Sequence, residues 1–134
     1  MNPKELEVLK LLLRSENAMS LPDILNVQPT LVKSTTAASL AKLLKDELIE
    51  VAGIGHSGKV ICRTYRPTEH SRKFLAENMV KDFNSVSDLI SKSDLCMCLL
   101  RANKDPEASK RDVAQIRAML DQYEKENNLN SDAT

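Results

Sequence analysis

Lys33, Ser34, Thr35, Thr36, Ser39 and Lys42 lie within one stretch of ten residues and combine short hydroxyl side chains with cations. Such groups reach base edges and phosphates in a DNA major groove without steric conflict. A second set, His56, Ser57, Lys59 and Arg63, follows on a segment that also holds Gly55 and Gly58. Cations on such a segment suit the sugar-phosphate backbone, where they add affinity but no sequence information. No Gly-rich phosphate loop, metalloprotease helix or Ser or Cys nucleophile in a recognisable setting accompanies them. The chemistry implied is non-covalent recognition of duplex DNA, by a chain that is no enzyme and needs no cofactor.

Positioning these groups requires a helix and a hairpin. Ala37, Leu40, Ala41, Leu44 and Leu48 recur at offsets of three, four, seven and eleven, which predicts a helix over 34–48 with one core-facing stripe. Thr35, Thr36, Ser39 and Lys42 are then left facing out. A solvated helix face has the same composition, and the hairpin downstream favours the DNA reading. Glu50 to Gly55, a turn at residues 56–59, and Val60 to Arg66 read as two strands, with Gly55 and Gly58 supplying positive φ at the reversal. A purely structural hairpin is the alternative.

Upstream, Asn2 caps a first helix that has Pro3 in its first turn, carries Leu6, Leu9, Leu12 and Leu13 on one face and ends near Arg14. Ser20 and Asp23 start a short second helix, with Leu21, Ile24 and Leu25 as its buried face; Pro29 stops it, and Ser34 is placed to cap the third helix. The succession is that of a winged helix-turn-helix over residues 1–66: mainly α with a small β-hairpin wing.

Residues 67–134 read as helices only. Thr68 is expected to cap a fourth helix with Phe74, Leu75, Met79 and Phe83 as its stripe, and a further helix from about Val86 carries Leu89, Ile90, Met97 and Leu100. Pro106 interrupts. Val113, Ile116, Leu120 and Tyr123 then form a two-heptad seam in the last helix. These eight residues from Leu89 to Tyr123 are the expected contacts of a homodimer, since helix-turn-helix proteins read two half-sites with two copies. Residues from about 127 to 134 are expected to be disordered.

Cys96 and Cys98 are weak metal candidates, because residues two apart on a helix point about 200° apart and cannot share an ion unless the helix opens. Buried cysteines in a reducing cytoplasm act as small apolar side chains, and Cys62 is read the same way. His56 and His70 lack carboxylate or cysteine partners at ligand spacing, so no metal site is assigned.

Formal net charge is zero, but it is unevenly spread: residues 27–66 hold six Lys or Arg against three Asp or Glu, whereas residues 67–134 hold ten against twelve. The basic footprint is modest, so affinity is expected to depend on two copies. No apolar run approaches membrane-spanning length and no signal peptide precedes the first helix, so no membrane partner and a cytoplasmic location are expected.

The stretch Ser34-Thr35-Thr36-Ala37-Ala38-Ser39-Leu40-Ala41-Lys42-Leu43-Leu44 through Leu48-Ile49 resembles the recognition helix of the penicillinase-repressor and copper-transport-repressor family. Leu6-Glu7-Val8-Leu9, Tyr65 and Ile116-Arg117-Ala118-Met119-Leu120 resemble its first helix, second wing strand and last helix, so the resemblance covers nearly the whole chain. It implies a dimeric bacterial repressor on a dyad operator, released by a signal, with Thr35, Lys42 and Lys59 at matching positions. Ala38 stands where the family has a second threonine. The Asn-Phe bond cleaved in penicillinase repressors is missing, and one Cys-x-Cys pair replaces the two of copper-responsive relatives. An upstream signalling protein or protease is a possible partner. A metal- or ligand-sensing regulator and a winged-helix module that binds protein instead of DNA are the other readings.

Overall fold

The computed structural model of the protein describes residues 1–129, apart from the side chain of Ser57. The elements run α1 (Pro3–Arg14), β1 (Met19–Ser20), α2 (Leu21–Val27), α3 (Lys33–Lys45), β2 (Ile49–Ser57), β3 (Val60–Pro67), α4 (Ser71–Asn84), α5 (Lys92–Arg101) and α6 (Pro106–Glu126). They form two compact units that divide between Lys81 and Asp82, later in the chain than the expected boundary at Arg66, because Phe74 and Leu75 of α4 pack on the core of the first unit.

In the first unit the caps follow from local chemistry. The Asn2 side-chain oxygen accepts from the Glu5 N–H at 2.8 Å, which satisfies one of the unpaired donors that open a helix. Ser20 and Asp23 form a reciprocal capping box at the start of α2, with bonds of 3.2 and 2.9 Å. α3 departs from expectation. It begins at Lys33 after Val32, with no side-chain cap, so Ser34 lies inside the helix.

The core joins Val8, Leu9 and Leu12 of α1, Ile24 of α2, Leu40 and Leu43 of α3, and Leu48 and Ile49 beyond it. α3 ends in a Schellman motif: the Glu47 N–H donates to the Leu44 carbonyl and the Leu48 N–H to the Leu43 carbonyl, both at 3.0 Å. Glu47 therefore takes a left-handed φ of 60°, a conformation that costs a side-chain-bearing residue roughly 1–2 kcal/mol. Thr68 does not cap α4 with its side chain. Its hydroxyl donates to the Glu47 carbonyl at 2.8 Å and its N–H to the Leu48 carbonyl at 3.0 Å, while its own carbonyl accepts from Ser71 Oγ at 2.7 Å. The end of α3 is thereby tied to the start of α4.

The sheet has three antiparallel strands in the order β1-β3-β2. β1 pairs Met19 with Tyr65 and Ser20 with Thr64, a strand too short to show in the sequence pattern. In the hairpin Ser57 pairs with Val60, leaving a two-residue turn with Gly58 at φ +63°. Gly55 is a strand residue without positive φ; a Cβ there would stand 3.0 Å from Thr64 Cγ2, so its value is close packing. A bulge between Val51 and Gly53 shifts the register, giving the hairpin a local bend.

The second unit is differently built. Leu89 and Ile90 lie in the turns between α4 and α5, not on a helix, because α5 starts only at the Ser91 and Asp94 capping box. The Ser91 backbone N–H, then its hydroxyl, hold the Asp94 carboxyl below its usual range. The box is thus complete at neutral pH and loosens as acid protonates that carboxylate. Pro106 opens α6 instead of merely interrupting, behind the Asp105 cap. No residue of α5 or α6 is buried. Met79 of α4 is also exposed, contrary to its place in the expected stripe. The end of α6 repeats the motif of α3, with Asn128 at φ 54°; the expected disorder toward 134 falls largely outside the described residues. No helix among the described residues is long and apolar enough to cross a membrane.

Glu47→Gly removes the left-handed penalty and keeps every backbone bond of the motif. Against the chain entropy glycine loses on folding, the expected gain is about 0.5–1 kcal/mol. Thermal unfolding followed by circular dichroism should show a midpoint about 2–8 °C higher.

Candidate nucleic-acid interface

α3 is rotated relative to the sequence expectation. Leu40 and Leu43 are buried, but so are Thr36 and Ser39, at 1% and 4% exposure, whereas Ala37 and Ala41 face solvent. Thr36 and Ser39 are therefore corrected from outward-facing DNA contacts to residues of the inner face. Two physical reasons combine. Leu43, absent from the expected stripe, is fully buried, and a leucine gains far more from burial than an alanine methyl does. The Thr36 hydroxyl donates to the Val32 carbonyl at 2.8 Å, so threonine enters the core with its polar atom satisfied. Taking Leu40, Leu43 and Leu44 as the triplet that sets the stripe would have shown this in the sequence.

The outward face of α3 holds Lys33, Ser34, Thr35, Ala37, Ala38, Ala41, Lys42 and Lys45, all exposed. Lys45 was not among the expected contacts; it lies four residues past Ala41, on the same side of the helix. Lys42 is exposed but not free, since its Nζ lies 3.1 Å from Asp46 Oδ1.

On the hairpin, Lys59 occupies the turn, and His56 and Arg63 are exposed on β2 and β3. Paired positions share a face of the sheet, so Ile54 and Arg63 stand together, as do His56 and Ile61. The side chain of Ser57 lies outside what the structure describes. Arg66, which adds to the basic count of the hairpin, sits elsewhere: its Nε is 3.4 Å from Glu50 Oε1, at a cavity of about 550 Å³ that Glu47, Glu69 and His70 also line. Lys33, Lys45, Lys59 and Arg63 make no ion pair among the described residues. The structure thus gathers the expected contacts on two elements of one unit and removes two of them to the core.

The other candidates lie in the second unit. Met97 and Leu100 are on α5, and Val113, Ile116, Leu120 and Tyr123 on α6, where Leu120 is 49% and Tyr123 56% exposed. Cys96 is half-buried and Cys98 exposed, both free, and Cys62 stands on β3. No group of three or more His, Cys, Asp or Glu among the described residues could hold a metal ion.

No protein-family model and no curated protein matches the chain. Solved structures do. A single-residue variant of MepR from a multidrug-resistant Staphylococcus aureus clinical isolate is 16% identical over 92% of this chain and 79% of that chain, with a TM-score of 0.50. The chain has the winged-helix fold. A MarR/EmrR-family transcriptional regulator from an Acinetobacter species is 19% identical, covering 91% of this chain and 78% of its own, with a TM-score of 0.46. The reduced form of the transcriptional regulator YodB from B. subtilis is 14% identical, over 69% and 84%, with the same TM-score of 0.46. The likeness at a TM-score of 0.50 speaks to the fold alone, and the narrower resemblance to penicillinase repressors finds no support among these matches.

The rotation of α3 is tested by paired substitutions. Ala38→Lys should leave stability within about 0.5 kcal/mol of the parent, as an exposed change does. Thr36→Lys, which buries a charge, should cost more than about 2 kcal/mol in denaturant unfolding. Equal effects would put the inner face elsewhere.

Proposed function

We propose that the protein is a DNA-binding transcriptional regulator, a homodimeric cytoplasmic repressor that seats α3 in the major groove of a dyad operator and lays the hairpin along the backbone. The observation that carries this reading is the division of α3 into a buried face and an exposed face with Lys33, Ser34 and Thr35 at its start, together with Lys59 and Arg63 on the hairpin, which make no ion pair among the described residues. Short hydroxyls read base edges, and unpaired cations meet phosphates without first giving up an intramolecular partner.

Dimerisation is supported by the second unit. It buries no residue among those described, yet exposes Leu89, Met97, Leu99, Met119, Leu120 and Tyr123. A unit that buries none of its described residues has little hydrophobic stabilisation of its own, and large apolar side chains left exposed favour association. A second copy supplies the matching surface through a two-fold axis. Two copies also double a basic footprint that is small in one chain.

Selection from a random duplex pool at two salt concentrations should enrich a dyad, bound more weakly at higher salt. No enrichment at low salt would favour a protein-binding module. Lys59→Ala should flatten the slope of log affinity against log salt by about one, the loss of a single phosphate contact. In sedimentation equilibrium the parent should run at twice its 15.0 kDa chain mass. Leu120→Asp should shift it to monomer and weaken operator binding by about tenfold or more.

A further inference from the structure

The two ends of α3 differ in how their charges are arranged. Lys33 at its start has no ionic partner among the described residues, whereas Lys42 in its last turn donates to Asp46 at 3.1 Å, with the two side chains 48% and 36% exposed. Asp46 is poorly placed for the helix itself. It occupies the C-terminal cap of α3, where a negative charge opposes the helix dipole, and the order Lys then Asp is the weaker one for a pair four residues apart. Glu47 follows directly, Lys73, which lines the same cavity, forms no ion pair with Asp46 among the described residues, and Glu77 there carries the same charge as Asp46. The ion pair that Asp46 makes among the described residues is with Lys42, on the outward face of α3.

We propose that Asp46 is a specificity-determining residue for duplex binding: by pairing with Lys42 it withholds one phosphate contact from duplexes of the wrong sequence and yields it where the rest of α3 is seated. The inference rests on the DNA-binding reading above. An exposed pair of this kind is weak, so a phosphate held within reach takes Lys42 from Asp46. On a duplex that α3 does not fit, contact is loose, the phosphate stays beyond close range, and the pair persists. Asp46 then cancels the charge that would otherwise add to non-specific affinity, which is almost wholly electrostatic.

The test uses four full-length proteins: the parent, Asp46→Asn, Lys42→Ala and the double variant. Fluorescence anisotropy on a labelled duplex of random sequence, across about 50 to 200 mM salt, gives affinity and salt slope. Asp46→Asn should tighten binding severalfold and steepen the slope by about one. The double variant should show neither the tightening nor the steeper slope of Asp46→Asn. A gain that survives Lys42→Ala would overturn the proposal, since the carboxylate would then act by long-range repulsion alone. So would equal flattening by Lys42→Ala in both backgrounds. Four proteins with equal slopes, all sensitive to Lys59→Ala, would remove the role of Asp46 and leave the DNA-binding reading standing, whereas four that bind no duplex would overturn both.

Discussion

The packing of α3 on α1 is the constraint on which the rest of the first unit depends. Leu43 and Leu40 enter the same buried cluster as Val8, Leu9 and Leu12, and that choice sets the rotation of α3 about its own axis. The alternative rotation would bury Ala37 and Ala41 and bring Leu43 out. Burying a leucine side chain is worth about 1.5–3 kcal/mol and two alanine methyls about 1.6 together; the methyl of Thr36, buried with its hydroxyl bonded to the Val32 carbonyl, adds to the leucine side and favours the observed rotation. What α3 offers to a groove is a by-product of this competition.

Legibility in the sequence followed the range of the interactions involved. Asn2 with Glu5 and Ser20 with Asp23 were readable because a cap and its partner lie three residues apart and their chemistry is fully local. The reversal at Gly58 was readable for the same reason. β1 was not, since Met19 and Ser20 are a strand only by virtue of Tyr65 and Thr64 on β3. The rotation of α3 escapes the stripe of Ala37, Leu40, Ala41, Leu44 and Leu48 because that stripe leaves out Leu43, whose burial carries Thr36 inward with its hydroxyl bonded to the Val32 carbonyl. Apolar spacing alone places Leu89 and Ile90 on a helix, whereas the Ser91 and Asp94 box, itself a local signal, starts α5 only after them. Of the residues expected to contact DNA, Lys33, Ser34, Thr35, Lys42, His56, Lys59 and Arg63 are exposed, and the differences fall where facing rests on periodicity.

The C-terminal end of α3 shows how one strained residue organises a junction. Glu47 in a left-handed conformation lets the chain turn from helix to β2 within two residues, placing Leu48 in the core beside Leu43. The same turn presents the Glu47 carbonyl to Thr68, so the start of α4 is registered against the end of α3. Such strain persists only where surrounding contacts over-determine it. Here the Schellman bonds, the apolar contact and the Thr68 bridge do so together.

Zero net charge does not argue against a nucleic-acid partner once charges are placed. Among the described residues Lys33, Lys45, Lys59 and Arg63 make no ion pair, while Lys42 and Arg66 are matched by Asp46 and Glu50. Neutrality of the whole chain also lowers the repulsion between copies. For a protein whose second unit has apolar faces and no interior, that repulsion bears directly on assembly. A strongly basic chain would bind duplex more tightly as a monomer and resist pairing. Under the proposed function, a chain with a small cationic set on one unit and exposed apolar side chains on the other would make affinity conditional on assembly, and two seated copies would then distinguish a dyad from the surrounding sequence.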